Sequence, residues 1–146
     1  MANKNFTSNL NFQNKIIVAT NGCFDILHIG HIRYLRQAKS LGDILIVGVN
    51  SDNSVKALKG SKRPINKAED RAEVLQALSF VDFTYIFEEK TADEFLQITK
   101  PNIYVKGGDY SLEELPEKKM LISLNIKTIF LPFHDGYSTT SILAKV

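Results

Sequence analysis

Two histidines one helical turn apart, His28 and His31, flank Gly30 in the run Thr20-Asn21-Gly22-Cys23-Phe24-Asp25-Ile26-Leu27-His28-Ile29-Gly30-His31. Imidazoles at this spacing fall on one side of a helix entrance. A glycine between them lets an anion approach the backbone without meeting a Cβ. The run follows the apolar residues 16–19 and leads into the amphipathic residues 32–39. A strand that empties through a glycine-bearing turn into a helix start presents free N–H groups and the positive end of the helix dipole to one ligand. The chemistry this suits is phosphate handling. A plainer reading makes His28 a packed core imidazole and His31 a solvated first-turn residue, but the place between strand and helix favours the phosphate site.

The elements that must position these residues alternate. Residues 16–19, 44–49, 83–87, 103–106 and 127–131 read as buried strands, short and rich in β-branched or aromatic residues. Helices are expected over residues 31–40, ending near Gly42, and along the stripe Ala68, Ala72, Leu75 and Leu78. Asn66 with Glu69, Thr91 with Glu94, and Ser111 with Glu114 read as helix-capping pairs. Residues 56–64, with Lys56, Lys59, Lys62, Arg63 and Gly60, read as a mobile basic loop, and Ser138, Thr139 and Thr140 as the start of a short last helix. Strict alternation predicts an α/β fold: a Rossmann-like parallel five-stranded sheet with helices on both faces and right-handed crossovers. Ligands of such sheets bind outside the carboxyl ends of the strands. The polar clusters at residues 21–31, 50–52, 107–110 and 134–140 all fall there, so they describe one site.

Composition sets the bounds. The 146 residues make one domain, read as residues 16–146 behind a polar, asparagine-rich and flexible lead at residues 1–15. A net charge of +2 with no dominating basic face argues against a dedicated nucleic-acid binder. The single cysteine, Cys23, excludes an internal disulfide and a multi-cysteine zinc site. No apolar leader and no run of the ~20 apolar residues a bilayer span needs is present, so a cytoplasmic protein without membrane contact is expected.

The His-x-Gly-His pattern after a first strand resembles the nucleotidyltransferase superfamily of the cytidylyltransferase type. Within it, residues 20–28, Val49-Asn50-Ser51-Asp52, Leu58-Lys59-Gly60 with Arg63-Pro64, Arg71, Val105-Lys106-Gly107-Gly108-Asp109-Tyr110 and Asp135-Gly136-Tyr137-Ser138-Thr139-Thr140 are similar, in order, to the adenylyltransferase domain of ADP-heptose synthase. The resemblance implies in-line attack of D-glycero-β-D-manno-heptose 1-phosphate on the α-phosphate of ATP, with Mg²⁺ carried by the nucleotide and no covalent enzyme intermediate. It implies catalytic roles for His28, His31 and Lys59. It implies nucleotide contacts by Asn21, Gly22, Cys23, Phe24, Gly30, Arg63, Arg71, Lys106, Gly108, Asp109, Ser138, Thr139 and Thr140. Sugar-phosphate contacts fall to Asp25, Asn50, Asp52 and Tyr110, although Asp25 equally fits a Mg²⁺ contact or a turn carboxylate. Cys23 is read as packing, not as a nucleophile, since no general base is assigned to it.

The nearest alternative is a glycerol-3-phosphate cytidylyltransferase, which shares the fold. That family carries threonine at the Cys23 position and arginine at the Phe133 position, and lacks a lysine at the Lys106 position. Pantetheine-phosphate adenylyltransferases usually have threonine in place of His28. A catalytically silent nucleotide-binding module is the alternative of another class; retention of both histidines, the basic loop and both phosphate turns stands against it. Many ADP-heptose synthases fuse this domain to a ribokinase-type sugar kinase. Here only the short lead precedes the first strand, so a separate sugar kinase, or the other half of a divided protein, is expected to supply the sugar phosphate. The family also implies a homodimer.

Overall fold

The computed structural model describes residues 5–132 and 138–146. Five strands, β1 (Ile17–Gly22), β2 (Ile44–Asn50), β3 (Phe83–Phe87), β4 (Ile103–Gly107) and β5 (Lys127–Leu131), form one sheet in the order β3-β2-β1-β4-β5. Every pairing is parallel, as the alternation predicts. Between the strands lie α1 (Ile29–Lys39), α2 (Asp52–Lys59), α3 (Ala68–Gln76), α4 (Asp93–Thr99) and α5 (Lys118–Ser123), and α6 (Thr139–Leu143) follows β5.

The two-residue period of the strands divides the core. Val18, Leu45, Val47 and Val105 pack with Leu35 and Ala38 of α1 and Ala72 and Leu75 of α3. The intervening Ala19, Ile46 and Tyr104 face the other way, onto Phe95 and Leu96 of α4 and Leu121 of α5. Both faces are therefore apolar, which is why the strands read as continuous hydrophobic runs.

The direction of winding reverses between β1 and β4, and there the sheet opens. These strands pair only at Val18 with Ile103 and Ala19 with Tyr104. Beyond that point the Val105 carbonyl accepts from the Thr20 hydroxyl at 2.9 Å and the Tyr34 hydroxyl at 3.1 Å, side chains standing in for ladder bonds. The result is the crevice at a topological switch point where such folds hold ligands.

Several expectations need correction. The lead is not free over its described part. Phe6 N–H donates to the Thr84 carbonyl at 2.8 Å, and the Phe6 ring is buried against Phe12 and Phe83. Two phenylalanines among the asparagines supply the apolar area that ties it down. The basic stretch is not a mobile loop throughout: Ser51 caps α2 by accepting from Ser54 N–H at 3.1 Å, so Lys56 and Lys59 stand on a helix that ends at Gly60. The expected Asn66 and Thr91 caps are Lys67 and Ala92 instead, neither with a side-chain cap bond, and a single 3₁₀ turn (Leu112–Glu114) precedes Pro116. Gly42 does not close α1 in a left-handed cap. A Cβ there would stand 2.7 Å from Val18 Cγ2 and 2.8 Å from the Ile16 carbonyl, so its role is close approach.

Candidate active site

A cavity of about 820 Å³ lies at the carboxyl edge of the sheet and takes residues from the segments after all five strands. After β1 come Asn21 to Asp25 and then His28, Gly30 and His31; after β2, Lys59 and Arg63. The segments after β4 and β5 add Tyr110, Ser138, Thr139 and Thr140. Asn50 and Lys106, at the ends of β2 and β4, also line it.

The histidines meet at the start of α1. His28 is the N-cap residue, in extended conformation, and its N–H donates to His31 Nδ1 at 3.4 Å. The rings stack with centroids 3.8 Å apart. An Nδ1 that accepts leaves the proton on Nε2, so His31 is fixed in the tautomer that offers an Nε2–H donor. Burial, and secondarily the neighbouring His28, pushes His31 down to about 4; burial lowers His28 as well. Both are therefore neutral at pH 7. A neutral imidazole does not bind a phosphate as a fixed cation but donates a hydrogen bond that strengthens as charge builds on the oxygen. His28 Nδ1 is buried with no hydrogen-bond partner among the described residues. Phe24, held at φ 49°, sets its ring edge-on to His31 at 5.2 Å. A bulky residue in the left-handed region costs about 1–2 kcal/mol, which the burial of this ring against the core offsets.

Three charged residues expected to touch ligand are instead used to hold the site's frame. The Asp25 side chain is fully buried. It accepts from Arg63 Nε at 2.7 Å, Ile65 N–H at 2.8 Å and Asn66 N–H at 2.9 Å, while Asn66 Nδ2 donates to the Asp25 carbonyl. Burial alone would raise the Asp25 carboxyl, but the hydrogen bonds from Asn66 and Ile65 and the Arg63 charge together hold it below its ordinary value. Although it lines the cavity, this carboxylate is a staple between the first loop and residues 63–66.

Arg71 is 2% exposed and makes a second staple. Its Nε donates to the Asn66 carbonyl at 2.9 Å, one Nη to the Cys23 carbonyl at 2.6 Å and the other to Asp52 Oδ1 at 2.9 Å. Asp52 also accepts from Ala68 N–H at 2.9 Å. Neither Arg71 nor Asp52 lines the cavity. Sequence alone registers an arginine on a helix and an acid after a strand; it does not register that the helix turns the arginine inward.

Gly108 and Asp109 do not line the cavity either. Gly108, at φ 107°, makes a turn whose N–H donates to the Leu131 carbonyl at 2.8 Å, and this turn leaves Asp109 exposed beyond the rim while Gly107 and Tyr110 face in. Asn21 Oδ1 accepts from the Tyr104 hydroxyl, which orients the amide group of this cavity residue. Asn50 is buried with Nδ2 on Ser54 Oγ at 2.9 Å. Ser138 caps α6, accepting from Ser141 N–H at 2.9 Å, and Thr139 Oγ1 donates to the Ile26 carbonyl at 3.0 Å, which draws this second helix start against the first loop. Burial raises the Cys23 thiol despite the nearby Lys59, Arg71 and Arg63, so it stays protonated. Asp135 and Tyr137, quoted for the last motif, lie outside the described residues.

Lys90, Tyr34, Pro116 and Glu117 also line the cavity and were not anticipated. Lys90 lies three residues past β3 on the same edge, where strand order alone places a cavity residue. Nothing in the sequence context of Glu117 distinguishes it from the other acids around it. No group of three or more His, Cys, Asp or Glu able to hold a metal is present among the described residues.

A cytidylyltransferase-like family model matches residues 19–145. The bifunctional protein HldE of Nitratiruptor sp. is 50% identical over 140 residues, 96% of this chain and 29% of that protein. The HldE of Helicobacter pylori strain P12 is 52% identical over 130 residues, 89% of this chain and 27% of that protein. The chain thus spans under a third of the length of these relatives. Among solved structures, a lipopolysaccharide core biosynthesis protein from Thermoplasma volcanium superposes with a TM-score of 0.70 at 31% identity, covering 84% of this chain and all of that one. A pantoate-beta-alanine ligase from Francisella tularensis shares the fold, with a TM-score of 0.58 at 20% identity over 95% of this chain and 68% of its own.

Proposed function

The chain belongs to the cytidylyltransferase-like family and is a nucleotidyltransferase; from that premise we propose that it transfers AMP from ATP to a sugar 1-phosphate, giving an ADP-sugar and pyrophosphate. The observation that carries this reading is the pair of neutral imidazoles at the start of α1, within a cavity shared by the start of α6 and by Lys59, Arg63 and Lys106. A phosphate monoester is already a nucleophile at pH 7, so the reaction needs positioning and charge neutralisation more than a base. His28 and His31 donate to oxygens of the α-phosphate as its charge redistributes. The Ser138, Thr139 and Thr140 segment holds the nucleotide phosphates, and Lys59 and Arg63 neutralise the departing pyrophosphate. Mg²⁺ arrives with the nucleotide as part of the substrate.

The acceptor we propose is D-glycero-β-D-manno-heptose 1-phosphate. The ordered motifs similar to ADP-heptose synthase and the relationship to a lipopolysaccharide core biosynthesis protein support it. Lys106 inside the cavity favours the adenylyl over the cytidylyl reading, since the glycerol-3-phosphate enzymes lack a lysine there. A sugar kinase would supply the acceptor, and the reading places the enzyme in the cytoplasm as a homodimer. The test is pyrophosphate release with this sugar phosphate and Mg²⁺, ATP against CTP. Release with ATP is expected, falling about 10²–10³-fold in His28→Ala or His31→Ala. Turnover only with CTP and glycerol 3-phosphate would refute the acceptor and the nucleotide, and tight ATP binding without release from any pair would refute catalysis.

A further inference from the structure

Glu117 is a carboxylate on the wall of a cavity that Lys59, Arg63, Lys90 and Lys106 also line. It is 3% exposed and lines the cavity beside Pro116. One oxygen, Oε1, accepts from Ala92 N–H at 3.3 Å; the other, Oε2, is buried with no hydrogen-bond partner among the described residues. None of the ion pairs between described residues includes it. Its negative charge is felt nearby: after burial itself, Glu117 is the leading cause that raises the Tyr104 hydroxyl, ahead of Tyr34 and Asp93. A buried acceptor left unsatisfied costs about 1–3 kcal/mol, more when charged, so such an atom calls for a donor. Asp25, the other carboxylate on the cavity wall among the described residues, already has three donors.

The donor cannot be a phosphate, which is anionic and is drawn to the histidines, lysines and arginine. What remains of a nucleotide or a sugar phosphate that can donate is a sugar hydroxyl or the amino group of the base. We propose that Glu117 is a specificity residue whose Oε2 accepts a hydrogen bond from a hydroxyl of the bound substrate, in the first place a ring hydroxyl of the acceptor sugar. The assignment rests on the adenylyl-transfer reading of the cavity. Ribose can supply the same chemistry, and the test separates the two.

The affinities of ADP, 2′-deoxy-ADP and ADP-heptose are measured by calorimetry on the wild type, Glu117→Gln and, as a control, the exposed Glu113→Gln, with thermal melts to establish folding. Glutamine keeps an oxygen for Ala92 N–H but replaces the charged acceptor by an amide. ADP-heptose is expected to bind Glu117→Gln about 10-fold more weakly with ADP unchanged, as for loss of a charge-assisted hydrogen bond. Equal weakening of ADP and ADP-heptose, absent with 2′-deoxy-ADP, also supports hydroxyl recognition and assigns it to ribose. Unchanged affinities, equal weakening of all three ligands (as for the amino group of the base), an effect confined to the Mg²⁺ requirement, or a wild type that binds ADP-heptose no better than ADP would overturn the assignment to the acceptor. Pyrophosphate release by the wild type is read separately, so failure of the catalytic reading is distinguished from failure at Glu117.

Discussion

Removing the Asp25 carboxylate should detach the segment that carries Arg63 from the first loop. Asp25→Ala removes the acceptor of three donors and leaves the N–H groups of Ile65 and Asn66 without their partner, together with a guanidinium whose side chain is 13% exposed. Each orphaned N–H costs about 1–3 kcal/mol, and breaking a buried pair from one side typically costs about 3–5 kcal/mol. A loss of about 3–5 kcal/mol lowers the melting temperature by roughly 10–15 °C for a chain of this size. Arg63→Ala should cost less, about 1–2 kcal/mol, because both backbone donors still satisfy the carboxylate. A double-mutant cycle read by thermal and urea melts should then give a coupling of about 1.5–3 kcal/mol. Both variants should also weaken ATP binding, since Arg63 lines the cavity. If Asp25→Ala cost no more than Arg63→Ala, or less than about 1 kcal/mol, the carboxylate would not be what holds the segment.

Two further perturbations follow from buried groups. The unfolded chain takes a proton on His31 near pH 6.5, whereas the folded chain refuses it until about 4. Stability of the ligand-free protein should therefore fall as the pH is lowered across that window and be flat above it, by at most about 3 kcal/mol from this residue; His31→Gln should flatten the profile in urea melts, and an unchanged slope would contradict the burial of the imidazole. Arg71→Lys should destabilise by about 3 kcal/mol, because a single ammonium cannot satisfy the carbonyls of Cys23 and Asn66 and the Asp52 carboxylate at once. Its KM for ATP should rise without the loss of turnover expected of the histidine variants, as measured by steady-state kinetics; a collapse of kcat at unchanged KM would refute a purely structural role for Arg71.

Much of this protein is decided locally. The apolar runs of residues 16–19 and 44–49 form strands because neither leaves a polar face for water, and helices between them force parallel pairing. The His-x-Gly-His spacing depends only on helix geometry, so both imidazoles could be placed on one side of the α1 entrance from their positions alone. Ser138 at the start of α6 was legible for the same reason, since a cap and a phosphate site share one geometry.

What a charged side chain faces is not local. Arg71, Asp25 and Asp52 have the types and the neighbourhood of ligand contacts, yet each is turned to an unpaired backbone group or an opposite charge brought up by another element. Lys59 and Arg63 carry like charges in one stretch, and only Arg63 meets a buried carboxylate. Glu117 is the converse, an unremarkable acid in the sequence that folding buries at the cavity wall with one oxygen unsatisfied. Sequence determined which groups could do phosphate chemistry and on which edge they gather, because periodicity and strand order follow from backbone sterics and hydrophobic burial. Tertiary structure decided which of them are free to do it, because a hydrogen bond tying a group to a distant backbone withdraws it from the ligand, and that partner lies tens of residues away along the chain.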